Sequence, residues 1–190
     1  MNITEIKSGI LSGRYDRDFE LLYGGVDIAR GRYLKACESF ESLFPETEGI
    51  RLFSAPGRTE IGGNHTDHQH GCVLAGSVNL DVIAVTAPNA DNKIRIKSEG
   101  YEMDVIDLSE LDADPDERGR ASALIRGVCS RFKEMGCRLS GFNAYTTSNV
   151  LKGSGLSSSA AFEVLVGTII NGMFFGGKAD AVTVAKIGQY

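Results

Sequence analysis

One stretch restricts the fold of this 190-residue chain more than any other: Gly153-Ser154-Gly155-Leu156-Ser157-Ser158-Ser159-Ala160-Ala161. Before it, residues 139–150 (Phe142, Ala144, Tyr145, Thr146, Thr147) read as a strand. After it, Phe162, Val164, Leu165, Val166, Ile169 and Ile170 carry the pattern of a buried helix. Strand, glycine loop and helix together make a local geometry suited to phosphate. The first amides of a helix lack intrahelical partners, and the positive end of the helix dipole favours an anion. Two glycines permit close backbone approach, and serine hydroxyls add donors or a magnesium ligand. The competing reading is a flexible loop leading into a serine-capped helix. Three familiar motifs do not fit. No lysine follows the second glycine as a Walker loop requires, Ser158 stands where G-x-G-x-x-G needs glycine, and Ser159 where G-x-S-x-G does.

A second concentration of chemistry lies upstream, from Ser54 through Ala55-Pro56-Gly57-Arg58-Thr59-Glu60-Ile61-Gly62-Gly63-Asn64-His65-Thr66-Asp67-His68-Gln69-His70 to Gly71. This turn-rich segment gathers an arginine, carboxylates, an amide and all three histidines of the chain. Carboxylate and amide oxygens accept from hydroxyls while imidazole and guanidinium donate, which suits a polyhydroxylated ligand. Arginine also pairs with a transferring phosphoryl group. A polar surface loop is the plain alternative. Zinc is a sharper one, since His65, Asp67, His68 and His70 are ligand types, but neither a cysteine pair nor a helical His-x-x-x-His spacing accompanies them.

The two motifs in this order resemble those of the galactokinases. Pro56-Gly57-Arg58, Gly63, His65-Thr66-Asp67 and Gly71 look like the galactokinase signature, in which a proline-glycine-arginine run leads to a Gly-Glu-His-x-Asp-Tyr sugar loop. Gly155 to Ala161 resembles the second motif of the wider galactokinase, homoserine kinase, mevalonate kinase and phosphomevalonate kinase (GHMP) group. The likeness runs from about Ile50 to Tyr190. It implies an α+β fold, the GHMP kinase N-terminal domain, similar to domain 2 of ribosomal protein S5, with a mixed sheet packed with helices. It also implies ATP-dependent phosphorylation of the anomeric hydroxyl of galactose, with ATP and Mg2+ as cofactors. Arg58 would then stand beside the transferring phosphoryl group, and Asn64, His65 and Asp67 would contact the sugar. Gly153, Ser154, Gly155, Leu156, Ser157, Ser158 and Ser159 would wrap the nucleotide phosphates, with Ser159 as the magnesium ligand.

The chain departs from the family pattern in four places. Glu60 replaces the usual asparagine, Asn64 a glutamate, His68 a tyrosine, and Leu151 a proline ahead of the phosphate loop. Asparagine still accepts a hydrogen bond but carries no charge. The reaction type survives these changes, whereas the sugar does not follow from them. Another sugar-1-kinase, acting on N-acetylgalactosamine or arabinose, and a non-catalytic sugar sensor derived from a kinase are the alternatives. The family's catalytic aspartate lies in a Met-Asp-Gln motif, which this sequence lacks, as it lacks the later magnesium-binding glutamate and third glycine-rich motif. The expectation is an N-terminal portion of a longer kinase, inactive alone, whose partner is the C-terminal domain of the same chain.

With 42% apolar residues the chain can build one sizeable core, and a net charge of −5 argues against nucleic acid or an anionic membrane as partner. No apolar run reaches membrane-spanning length and no secretory signal opens the chain. Cys37, Cys72, Cys129 and Cys137 form no C-x-x-C pair, which suggests reduced thiols in a cytoplasmic protein. Residues 1–48 read as a helical preface to a domain over 49–190. Its clearest helix, Ile28 to Phe44, carries an apolar stripe of Leu34, Cys37, Phe40 and Phe44. Strands are expected at Ile50–Ser54, Asp81–Ala87, Lys93–Ser98 and Glu102–Leu108, with helices at Ala121–Met135 and Ala179–Tyr190. Asp112–Arg118 reads as a solvated acidic loop, and Arg126 as a surface arginine or a neighbour of the nucleotide.

Overall fold

A computed structural model of the chain describes residues 1–63, 71–150 and 155–189. Its centre is a sheet of β1 (Arg51–Gly62), β2 (Leu74–Pro88), β3 (Lys93–Ser98), β4 (Met103–Asp107) and β5 (Phe142–Ser148). The spatial order is β1-β2-β5-β3-β4. All neighbours are antiparallel except β3 and β5, which run parallel. A parallel pair needs a crossover, and the chain between them supplies β4 and then α4 (Ala121–Glu134).

The sheet is buried on both faces, and β2 shows why its sequence reads as a nearly unbroken apolar run. Side chains alternate along a strand. Val82 and Ala84 therefore join one core, while Ile83, Val85 and Ala87 join the other. The first core holds α4, α5 (Ser158–Phe174) and α6 (Ala181–Gln189) against the sheet. Helix α5 is its axis, and Leu165, Val166, Ile169 and Ile170 on it are all buried. The second core holds α1 (Ile3–Leu11), α2 (Asp16–Tyr23) and α3 (Asp27–Leu43). Here Ile6, Ile10, Phe19, Tyr33, Ala36, Cys37 and Phe40 pack on Ile83, Val85 and Tyr145. Of the expected α3 stripe, Cys37 and Phe40 are buried and Leu34 and Phe44 lie at its rim.

Local signals account for the ends of these helices. Asn2 and Glu5 form a reciprocal capping box on α1, the Asn2 Oδ1 accepting from the Glu5 amide at 2.9 Å and the Glu5 carboxylate from the Asn2 amide at 3.0 Å. Helix α2 stops at Gly24 in the left-handed conformation. Two strands outrun their expected bounds. Strand β1 continues past Ser54 to Gly62, and β2 begins at Leu74 rather than Asp81. The extension survives the proline and glycines because the β1–β2 register slips twice, between Pro56 and Arg58 and between Glu60 and Gly62. The first part of the turn-rich segment is thus a bulged strand. No helix among the described residues is long and apolar enough to cross a membrane.

Candidate functional site

The described parts of the two segments singled out in the sequence meet at one end of the sheet. Strand β5 ends at Ser148, and its hydroxyl accepts from the Val150 amide at 3.0 Å, turning the chain toward the glycine loop. Beyond it the loop is described from Gly155 onward. Gly155 has φ +77°, a conformation that suits glycine. Ser157 follows with φ 56° and ψ 57°, left-handed although it is not glycine, and takes the N-cap position of α5. Its side chain makes no capping hydrogen bond. The serine-capped reading is therefore not what the structure shows. Ser158 and Ser159 are the first two residues of α5, where amides lack intrahelical partners. An outlying backbone conformation beside such a helix start is a feature of ligand sites.

Strand β1 lies directly against this loop. The Arg58 amide donates to the Leu156 carbonyl at 3.2 Å. Gly57 permits the approach, since a Cβ there would stand 3.1 Å from that carbonyl oxygen and 3.1 Å from Val150 Cγ2. Arg58 thus sits half-buried on a paired strand opposite Ser77, with its amide bonded to Leu156, the residue before the N-cap Ser157. Asn64, His65 and Asp67, the expected sugar contacts, lie outside the described residues, as do Gly153 and Ser154. The histidine set behind the zinc reading lies there too. Among the described residues no group of three or more His, Cys, Asp or Glu could hold a metal. Ser158 and Ser159 at the start of α5 carry hydroxyls, the ligand type that holds magnesium in phosphate loops.

Two charged residues find definite places. Glu163, one turn beyond Ser159, is half-buried, and burial pushes its carboxyl above the usual carboxylate range. Arg126 does not lie free in solvent. Its guanidinium donates to both Glu117 carboxylate oxygens at 2.8 Å, and it also bonds the Glu110 carbonyl. The pair ties down the acidic connection, which contains a 3-10 turn at Pro115–Glu117. The paired guanidinium also holds the Glu117 carboxyl below its ordinary range.

The sequence reading passes over Asp81. This carboxylate on β2 is 3% exposed and lies at the centre of a polar cluster beside the site. Tyr23 and Ser54 donate to its Oδ2, each at 2.6 Å, and Arg32 forms an ion pair with Oδ1. The Tyr23 and Tyr33 hydroxyls are 3.0 Å apart. Burial and the neighbouring carboxylate push the Tyr23 phenol up to about 12. An aspartate interrupting an apolar strand, Asn79-Leu80-Asp81-Val82-Ile83, was the available signal.

Comparison with known proteins accords with this geometry. Residues 38–88, spanning β1 and β2, match the galactokinase galactose-binding signature, and residues 123–190 match the GHMP kinases N terminal domain. A galactokinase of Lacticaseibacillus casei is 38% identical over 127 residues, which cover 66% of this chain and 33% of that protein. A Bacillus subtilis galactokinase is 32% identical over 153 residues, covering 80% of this chain and 39% of that one. The chain thus spans between a third and two fifths of the length of these relatives. Among solved structures, Lactococcus lactis galactokinase in complex with galactose superposes with a TM-score of 0.71 at 28% identity, covering 80% of this chain and 39% of that one. Mevalonate kinase of Methanococcus jannaschii shares the fold at 15% identity, with a TM-score of 0.59 over 74% of this chain and 45% of that one.

Proposed function

We propose that this chain belongs to the GHMP kinase family and that the protein carrying it transfers the γ-phosphoryl group of ATP to the anomeric hydroxyl of galactose. The contact that carries the reading is the Arg58 amide on the Leu156 carbonyl, which sets the arginine strand against the nucleotide loop. In such a transfer the anomeric oxygen bonds to the γ-phosphorus, the bond from that phosphorus to the β,γ-bridging oxygen breaks, and ADP leaves. The hydroxyl proton passes to a carboxylate, which the family pattern places in a Met-Asp-Gln motif absent from these residues. Phosphoryl transfer asks for positioning and charge stabilisation more than covalent chemistry. Gly153 to Ser159 and the start of α5 cradle the phosphates with backbone amides and hydroxyls. Arg58 neutralises charge on the transferring group. Asn64, His65 and Asp67 orient the sugar. Magnesium, held through Ser159, would offset negative charge on the phosphates.

A second reading has its own support. Glu60, Asn64 and His68 replace an asparagine, a glutamate and a tyrosine of the galactokinase pattern, and two of these three changes alter charge. They favour another pyranose, N-acetylgalactosamine or arabinose, as substrate of the same reaction. A panel of free sugars incubated with the protein and MgATP, read by ADP release and by phosphorus NMR of the product, separates these outcomes. Galactose 1-phosphate as the main product is expected. Turnover of a different sugar would replace galactose in the reading, and MgATP binding without turnover of any sugar would favour the sensor.

A further inference from the structure

We infer that Arg32, on the outer helical layer, is a positioning residue for the nucleotide loop and acts through Asp81; the inference rests on the kinase reading above. The Arg32 side chain is 13% exposed and that of Asp81 5%, so the pair is well shielded from solvent. Besides its ion pair, Arg32 Nη2 donates to two main-chain carbonyls, that of Asp81 on β2 at 3.0 Å and that of Thr147 on β5 at 3.1 Å. One guanidinium nitrogen therefore pins two neighbouring strands where β5 is about to leave the sheet for the loop.

The same place governs the other half of the site. Asp81 pairs with Pro56 on β1, two residues before Arg58. Its carboxylate accepts from Ser54 on β1, and its carbonyl accepts from the Asn149 amide at 2.9 Å. The next residue, Val150, is the one that packs against Gly57. A continuous set of contacts thus runs from α3 through Arg32 and Asp81 to Asn149 and Val150, and from there to Gly57, Arg58 and Leu156. A planar fork is needed to serve a carboxylate and two carbonyls at once, and a lysine ammonium lacks that geometry. A buried carboxylate deprived of its fork is driven to seek other partners, so its strands shift. The arrangement couples the helical layer to the relative placement of Arg58 and the nucleotide loop.

Arg32→Lys tests the coupling, with Lys7→Met, which breaks the Lys7–Glu41 pair of the same layer, as the control. Hydrogen exchange should rise in Arg32→Lys across residues 145–150 and 155–161 and stay unchanged over β3 and β4. The Kd for MgATP should weaken on the order of tenfold, as displacement of a phosphate cradle by a fraction of an ångström implies. Lys7→Met should change neither. Unchanged exchange and affinity in a folded Arg32→Lys protein overturns the inference, as does a uniform rise over all peptides, the mark of a merely structural role. Failure of Arg32→Lys to fold leaves Tyr23→Phe, which removes one bond from Asp81 and should raise exchange in the same peptides to a smaller extent; no local rise there overturns the inference. A wild-type protein that does not bind MgATP would instead refute the kinase reading, while the exchange pattern still judges Arg32.

Discussion

Arg58 owes its place to main-chain contacts on both sides of β1, with Ser77 across the sheet and Leu156 at the loop. Its side chain is consequently presented from a fixed strand, as charge stabilisation of a transition state requires. In the protein carrying this chain, Arg58→Ala should lower kcat by about a hundredfold, on the order of 3 kcal/mol, with little change in sugar affinity. Arg58→Lys should restore little, because a point charge does not reproduce the planar fork. Steady-state kinetics checks both variants, and wild-type turnover in the alanine protein would exclude Arg58 from the chemistry. The motif Pro56-Gly57-Arg58 is legible in the sequence because it is contiguous. The cluster around Asp81 is not. Arg32 and Thr147 are 115 positions apart, and no local pattern announces a pairing of that span. Tyr23 and Arg32 resemble ordinary members of polar helices until the fold brings Asp81 beneath them.

The helices and most strands could be read locally, since α4 and the β3–β4 hairpin carry regular apolar periods between turn residues. Strand β1 escaped that reading at its far end. Its proline and glycines are turn residues by propensity, yet pairing with β2 and two register slips keep Pro56 to Gly62 extended. The start of α5 was legible as a loop running into a buried helix, but the backbone state of Ser157 was not. Serine in the left-handed region without a capping bond is a local cost, of roughly 1–2 kcal/mol for a residue with a Cβ. Under the proposed function, the Ser157 hydroxyl, which makes no capping bond, serves the phosphates instead. Ser157→Gly should therefore leave the melting temperature equal or slightly higher while weakening MgATP binding. Calorimetric melting and titration of the same preparation read the two effects together. A large fall in stability would mean that the serine supports the helix, and unchanged affinity would remove its hydroxyl from the phosphate site.

At the scale of the molecule, one sheet separates two cores, and its middle strands serve both. Phe40 lies fully buried in the α1–α3 layer and Phe132 fully buried in the α4–α6 layer. Replacing either by alanine should cost about 3–5 kcal/mol, from lost transfer free energy and the cavity left behind. The sequence suggests a helical preface over residues 1–48 that lays one side on the domain after it, and the described packing adds how the two meet at β2. Ile83 and Val85 lie under the helical layer while Val82 and Ala84, between and beside them, lie under the other. Arg32 and Asp81 add a buried ion pair across the boundary. Loss of one layer would expose a whole face of β2 and leave the Asp81 carboxylate without its guanidinium. Both Phe40→Ala and Phe132→Ala should accordingly shift one shared denaturation transition to lower urea, by similar amounts, whether followed by far-ultraviolet circular dichroism or by tyrosine fluorescence. Tyrosine is a suitable reporter because the chain has no tryptophan and Tyr23 and Tyr33 sit within the helical layer. If Phe40→Ala instead produced an early fluorescence transition, with the remaining helix and sheet signal melting at the wild-type midpoint, the two layers would be separate folding units.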